Sequence, residues 1–103
     1  MYVSLMRVNT GDQQIENATI VGEEMLTWLR EIDGFEGILV FSREGTTVGL
    51  TFWENAEVAE RHRVARKRFL DRITSVADLR VEEFVDFEIT FAHFGPRMAE
   101  FAD

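Results

Sequence analysis

Trp53, Asn55 and His62 stand within ten positions of one another, in the stretch TFWENAEVAERH that spans residues 51–62. An imidazole takes up and releases protons near neutral pH, so His62 is the side chain of this group fit to act as a general base on a bound substrate. An indole offers a flat apolar wall with one N–H donor. That suits Trp53 to lining a small-molecule pocket, or to packing with its N–H satisfied locally. Asn55 is followed by Glu57 and Glu60, the pattern of a helix N-cap with negative charge in the first turns. His62 has two readings. On a helical stripe with Val58, Ala65, Phe69 and Ile73 it points toward the sheet, either as a core-edge histidine with a backbone partner or as the base of a pocket.

Other chemistry is thinly supplied. The chain has no cysteine, which excludes disulfides, thiolate nucleophiles and Cys-ligated zinc, and suits a reducing cytoplasm. His62 and His93 are not at metal-ligand spacing, and no cluster of further ligands accompanies either. His93 falls near the end of the last apolar segment, as a rim or interface residue. Six of the eleven basic residues lie in one run, Arg61, Arg63, Arg66, Lys67, Arg68 and Arg72. At helical spacing these read as a solvated face, with a Glu57–Arg61 pair at i, i+4. Binding of RNA on a sheet would need an aromatic RNP pattern that is not present. A net charge of −8 opposes nucleic-acid binding generally. No basic-then-apolar secretory signal opens the chain, and no apolar run approaches the ~20 residues that span a bilayer. The 103 residues are the length of one domain, 1–103.

The elements that must position these residues follow from hydrophobic period. Tyr2 to Val8 alternates with apolar residues on both faces, a strand covered on both sides. Asp12 is an N-cap for a helix whose stripe is Ile15, Ala18, Gly22, Met25, Leu29 and Ile32, ended by Gly34. Gly22 on that stripe suggests close approach of helix to sheet. Trp28 lies at the stripe's margin. FEGILVFS (35–42) and VGLTFWE (48–54) are strands joined by a turn at Gly45, and form a hairpin. A second helix runs unbroken from the Asn55 cap to about Thr74. A long last strand, about Arg80 to Phe94, has Val81, Glu83, Val85, Phe87, Ile89, Phe91 and His93 on one face. Glu82, Phe84, Asp86, Glu88, Thr90, Ala92 and Phe94 occupy the other. In the tail, Met98 and Phe101 are free to dock. The order β-α-β-β-α-β predicts an α+β, ferredoxin-like antiparallel sheet with helices on one face. Gly37, Leu39 and Phe41 oppose Ile38 and Val40 along one strand, Gly49 and Trp53 oppose Leu50 and Phe52 along the next, and neither set reads as solvated, so the sheet is apolar on both faces. One helical layer cannot cover both, so a second copy of the chain is expected to cover it.

The stretches DGFEGILVF and VGLTFWENAEVAERH resemble the antibiotic biosynthesis monooxygenase superfamily. The residues that carry the resemblance are Gly34, Phe35 and Gly37, which open the second strand, and Trp53 and Glu54, which close the third. The resemblance implies a homodimer paired sheet to sheet as a dimeric α+β barrel, with a pocket between sheet and helices in each subunit. In polyketide-oxidising members an Asn four residues before this Trp and a Tyr six after it assist the chemistry. Gly49 and Ala59 stand in those places here. Haem-degrading members use an Asn near the end of the first strand, a Trp along the second helix and a later His on the iron. Asn9 approximates the first, but His62 replaces the Trp and Arg72 replaces the ligand.

The resulting expectation is a cytoplasmic, cofactor-independent monooxygenase for a small aromatic or quinol-type substrate. It has His62 as catalytic base, Trp53 and Trp28 as pocket walls, and no metal or cofactor. Its partners are itself and a small molecule, with no nucleic acid and no membrane. The alternative is a non-catalytic small-molecule-binding or stress-associated protein on the same scaffold.

Overall fold

The computed structural model describes residues 1–11, 15–76 and 79–99. Asp12, the expected N-cap, lies outside them, as do Phe101 and the side chains of Ile15, Ala18 and Ile73. The elements are β1 (Tyr2–Asn9), α1 (Ile15–Leu29), β2 (Phe35–Arg43), β3 (Thr46–Trp53), α2 (Ala56–Arg61), α3 (Arg63–Val76), β4 (Arg80–Glu88) and α4 (Pro96–Ala99). The strands form one sheet in the order β2-β3-β1-β4, every neighbouring pair antiparallel. This is the predicted ferredoxin-like sheet. Among the described residues, no helix is long and apolar enough to cross a membrane.

Pairing register sorts the side chains into two faces. Ser4, Met6 and Val8 of β1 lie opposite Thr51, Gly49 and Thr47 of β3, beneath the helices. Met25 and Leu29 of α1, Val58 and Ala59 of α2, and Leu70 of α3 close over Met6, Val8 and Trp53 to make the core. Gly34 controls how the chain leaves α1. Its φ is +92°, and a Cβ there would press on Val58 Cγ1 at 2.8 Å, so both backbone and packing require glycine. Gly45, at φ +83°, makes the tight turn between β2 and β3.

The opposite face carries no helix. Val3, Leu5, Leu50 and Phe52 are half-buried on it, and Leu39, Phe41, Val85 and Phe87 are 40–50% exposed. An apolar surface of this extent is unusual on a monomer.

Three expectations need correction. The last strand ends at Glu88, not near Phe94. Its partner β1 runs out at Tyr2, and Ile89 N–H to Met1 O (3.0 Å) is the last bond the ladder provides. Alternation continues in the sequence beyond that point, but nothing remains to pair with it. Phe91 and Phe94 are 87% and 63% exposed, and His93 is exposed beside them rather than on a strand.

The second helix is two helices. α2 stops at Arg61, His62 stands at the junction with φ −104° and ψ 5°, and α3 begins at Arg63. Of the residues expected to face inward Leu70 is buried but Ala65 is exposed, and Arg66 and Thr74 are buried with Leu70.

Gly22 is the third. A Cβ on it would meet Val40 Cγ2 at 3.5 Å, ordinary van der Waals contact, so no close approach demands glycine. Gly in a helix interior costs roughly 0.5–1 kcal/mol relative to Ala. Gly22→Ala is therefore expected to stabilise the protein by about that amount, read as a rise of a few degrees in Tm by circular dichroism. A fall in Tm would show that α1 sits tighter on β2 than this contact allows.

Candidate functional site

β3 delivers Trp53 to the end of the sheet, and the chain then reverses over it. Glu54 N–H donates to Gly34 O at 2.8 Å, tying the exit of β3 to the glycine that ends the α1 connection. Asn55 is extended (φ −157°, ψ 175°), and its Oδ1 accepts a hydrogen bond from Val58 N–H at 3.0 Å. It is the N-cap read from the sequence. Its one amide oxygen is engaged by the helix and is not a catalytic group. Arg61 donates to Glu57 at 3.0 Å, the expected exposed i, i+4 pair.

Trp53 is fully buried. Its Nε1–H donates to Thr51 Oγ1 at 3.0 Å, so the indole offers its ring, not its N–H, to anything beside it. Phe35 meets that ring edge-on, with centroids 5.6 Å apart and planes at 65°. His62 lies near-parallel to it, centroids 6.4 Å apart and planes at 21°. His62 is half-buried, held at the α2–α3 junction where it meets both the indole and solvent. Sequence spacing predicts this approach to the sheet, although the unbroken helix assumed for it does not exist.

Arg66 completes the cluster and is the residue that sequence reading missed. It belongs to the basic run expected to be solvated, yet only 2% of its surface is exposed. Its guanidinium carbon lies 4.8 Å from the Trp53 ring centre and 5.5 Å from that of Phe84. Cations are attracted to such faces, the more so where water is excluded. Nη2 donates to Ala59 O at 2.6 Å and to Asp86 Oδ2 at 3.4 Å. Nε and Nη1 are buried with no partner. Burial lowers the guanidinium pKa from its ordinary value, and Asp86 opposes that shift. Arg63 approaches the same carboxylate: Nη1 is 3.2 Å from Oδ1, near enough for an ion pair but out of line for a hydrogen bond. Arg63 Nη2 donates to Phe84 O at 2.9 Å, and its guanidinium stacks 4.7 Å from the Phe84 ring centre. The sequence does hold a signal for this arrangement. Asp86 shares the inward face of β4 with Phe84, and an acid in that position needs a buried cation.

The remaining candidates lie elsewhere. Trp28 is half-buried and stacks on Phe69, centroids 5.1 Å apart and planes at 13°; its ring partner is the α3 aromatic rather than Trp53 or His62. Asn9 is exposed, and its Oδ1 accepts from Gly11 N–H at 2.9 Å, a turn role. Arg72 is exposed, 5.4 Å from the Phe69 ring centre. Among the described residues, no group of three or more His, Asp or Glu side chains is placed to hold a metal ion. A surface cleft of about 410 Å³ opens beside Lys67, Asp71, Thr74, Leu79, Arg80 and Val81. It is open, and its Lys67 is already bound to Asp71 at 2.6 Å. The chemistry converges instead on Trp53, His62, Arg66 and Asp86.

Packing also explains Gly49 and Ala59. A Cβ on Gly49 would collide with Met6 Cε, so the Met6 side chain occupies the space an Asn would need. Ala59 is fully buried and lends its carbonyl to Arg66.

No protein-family profile matches the chain, and no curated protein matches it by sequence. Solved structures do match in fold. A candidate antibiotic biosynthesis monooxygenase from Deinococcus radiodurans superposes with a TM-score of 0.70 at 14% identity, over 91% of this chain and 97% of that one. SnoaB, a cofactor-independent oxygenase from Streptomyces nogalater, gives 0.64 at 16% identity, over 88% and 95%. The ActVA-Orf6 monooxygenase of Streptomyces coelicolor, solved with nanaomycin D, gives 0.61 at 14% identity, over 91% of each chain. The chain has the antibiotic biosynthesis monooxygenase fold. Likeness at these identities shows the fold alone and leaves the chemistry to the site.

Proposed function

We propose that this chain is a cofactor-independent monooxygenase for a small aromatic or quinol-type substrate, with its pocket between the sheet and α2–α3. The observation that carries the reading is the Trp53–His62 stack. A proton acceptor that is half-buried against an apolar aromatic wall is what carbanion oxygenation requires of a protein. His62 takes a proton from an activated C–H of the substrate. The carbanion reduces O₂ and bonds to it, giving a hydroperoxide. Loss of water then leaves a carbonyl. A CH₂ group and O₂ become C=O and H₂O, with the substrate supplying all four electrons, so no external reductant enters. Trp53, itself fully buried, backs His62 at the reacting end, and Trp28 is a more distant wall. SnoaB, a cofactor-independent oxygenase, and the ActVA-Orf6 monooxygenase solved with nanaomycin D support the oxygenase reading.

The functional unit we propose is a homodimer, with the helix-free faces packed together as a dimeric α+β barrel. The exposed Phe41 and Phe87 and the half-buried Leu50 and Phe52 support it, as does the solvent-facing segment with Phe91 and Phe94. A single domain of 103 residues acting in the cytoplasm completes the reading.

A second reading keeps the pocket and drops the turnover. The filling of the Gly49 site by Met6 and the burial of Ala59 favour it, because neither position offers a polar partner to a substrate. Oxygen uptake separates the two. Chelator-treated protein given an anthrone or a naphthoquinol is expected to consume O₂ well above the protein-free autoxidation rate. Uptake at the background rate would leave the binding-protein reading standing.

A further inference from the structure

We infer that residues 89–94 of one copy add a strand to the free edge of β2 in a second copy, so that two subunits exchange backbone hydrogen bonds as well as packing their faces. The inference rests on the homodimer reading above. It adds which segment ties the copies together and where that segment is seated.

Residues 89–94, ITFAHF, have the composition of a strand and lack a neighbour. Ile, Thr and Phe favour extended pairing. Beyond the bond from Ile89 N–H to Met1 O, the next backbone bond among the described residues is Met98 N–H to Gly95 O, so the segment between is unpaired. Its apolar side chains stand in water. Phe91 is the most exposed large apolar residue of those described, and Phe94 is exposed with it. An extended apolar segment of this kind is fitted to pair with an open sheet edge.

The sheet has two outer strands, β2 and β4, and they differ in charge. β4 carries Glu82, Glu83, Asp86 and Glu88 within nine residues. Charged side chains keep an edge from pairing with another chain, and two β4 edges brought together would set acid against acid. β2 pairs with β3 alone, and its residues 37–42, GILVFS, carry no charge. Leu39 and Phe41 are exposed along it. Six uncharged residues of the segment thus match six of the edge.

The flanks set the direction. Glu88 precedes the segment and Arg97 follows it, whereas Glu36 precedes the uncharged run of β2 and Arg43 follows it. Antiparallel pairing brings Glu88 to the Arg43 end and Arg97 to the Glu36 end. Parallel pairing sets Glu88 beside Glu36. Opposite charges across a strand pair stabilise it and like charges destabilise it, so the antiparallel arrangement is selected. Pairing of the two segments with each other would leave the β2 edge open and Leu39 and Phe41 in water. The added strand also continues the helix-free face, because Leu39 and Phe41 belong to both.

The test uses the full-length protein. Dimers are assembled from ¹³C,¹⁵N-labelled and unlabelled copies, and isotope-filtered NOE spectra then report contacts between copies only. They are expected to connect Phe91 or Phe94 of one copy with Leu39 or Phe41 of the other. Ala92→Pro combined with His93→Pro removes two neighbouring N–H groups, one of which faces the edge in any register. Neither N–H is bonded within its own subunit, so the variant should fold as the native chain does. Analytical ultracentrifugation should show its dimer weakened roughly 10-fold or more, since each of two segments loses a hydrogen bond. A dimer with no contact between the segment and β2 of the other copy, contacts confined to its own subunit or to the other copy's segment, or an affinity unchanged by the two prolines would overturn this inference and leave the homodimer standing. A protein that stays monomeric removes both.

Discussion

Replacing His62 with Ala is expected to lower turnover of an activated aromatic substrate by roughly 10²–10⁴, the weight a positioned general base carries. The fold should tolerate the change. His62 is half-buried at a helix junction rather than enclosed in the core, and its contact with Trp53 is a ring stack at 6.4 Å. The residues that hold the junction are others. Asn55 caps α2, and Arg66 N–H donates to His62 O at 2.9 Å through the backbone, which Ala provides equally. Circular dichroism and size-exclusion profiles of the variant should match those of the native protein, while the rate falls. A rate unchanged by the substitution would move the base elsewhere or show that the substrate ionises unaided. A variant that unfolds would make His62 a packing residue instead.

The second large effect concerns assembly. The native protein should scatter light as a particle of about twice 11.9 kDa at micromolar concentration. Phe41→Asp combined with Phe87→Asp should convert it to a monomer. Both side chains lie on the helix-free face and are about half exposed in the single chain, 50% and 49%, so their loss costs the isolated subunit little. In a sheet-to-sheet dimer each Asp would be buried without a cation. An uncompensated buried charge costs about 3–5 kcal/mol, which weakens association by roughly 10²–10³-fold or more. A native protein that runs as a monomer, or a double variant that stays dimeric, would remove the barrel from the account.

Element order was legible because period alone carries it. The switch from alternation to a three-to-four-residue repeat after Thr10, and the return to alternation at Phe35, mark strand, helix and strand without any tertiary information. Gly34, Gly45 and Asn55 were legible because each is required by local backbone geometry. The failures were tertiary. The last strand was read six residues too long, since alternation reports side-chain pattern and is blind to where the neighbouring strand ends. The second helix was counted straight through His62. Its inward stripe is centred on Ala59, Arg66 and Leu70, at i, i+7 and i+11, and this leaves Ala65 outside. Composition reinforced the error, because an Arg in a run of Arg and Lys reads as solvated. What places Arg66 inside is Asp86, twenty residues away, together with two aromatic rings on different strands. Periodicity within one helix holds no record of those partners.

The candidate site divides along the same line. Trp53 and His62 were found because they are close in sequence and one spacing rule relates them. Trp28 was drawn toward them by residue type alone, and the structure pairs it with Phe69.

The central claim is that the protein oxygenates its substrate with no cofactor, and isotopic oxygen tests it most directly. Chelator-treated protein and an anthrone or naphthoquinol are incubated under ¹⁸O₂, and product and water are analysed by mass spectrometry. The account predicts one ¹⁸O in the new carbonyl and one in water per O₂ consumed, at a rate that falls with His62→Ala. Product carrying no ¹⁸O, or ¹⁸O incorporated no faster than in protein-free buffer, would contradict it.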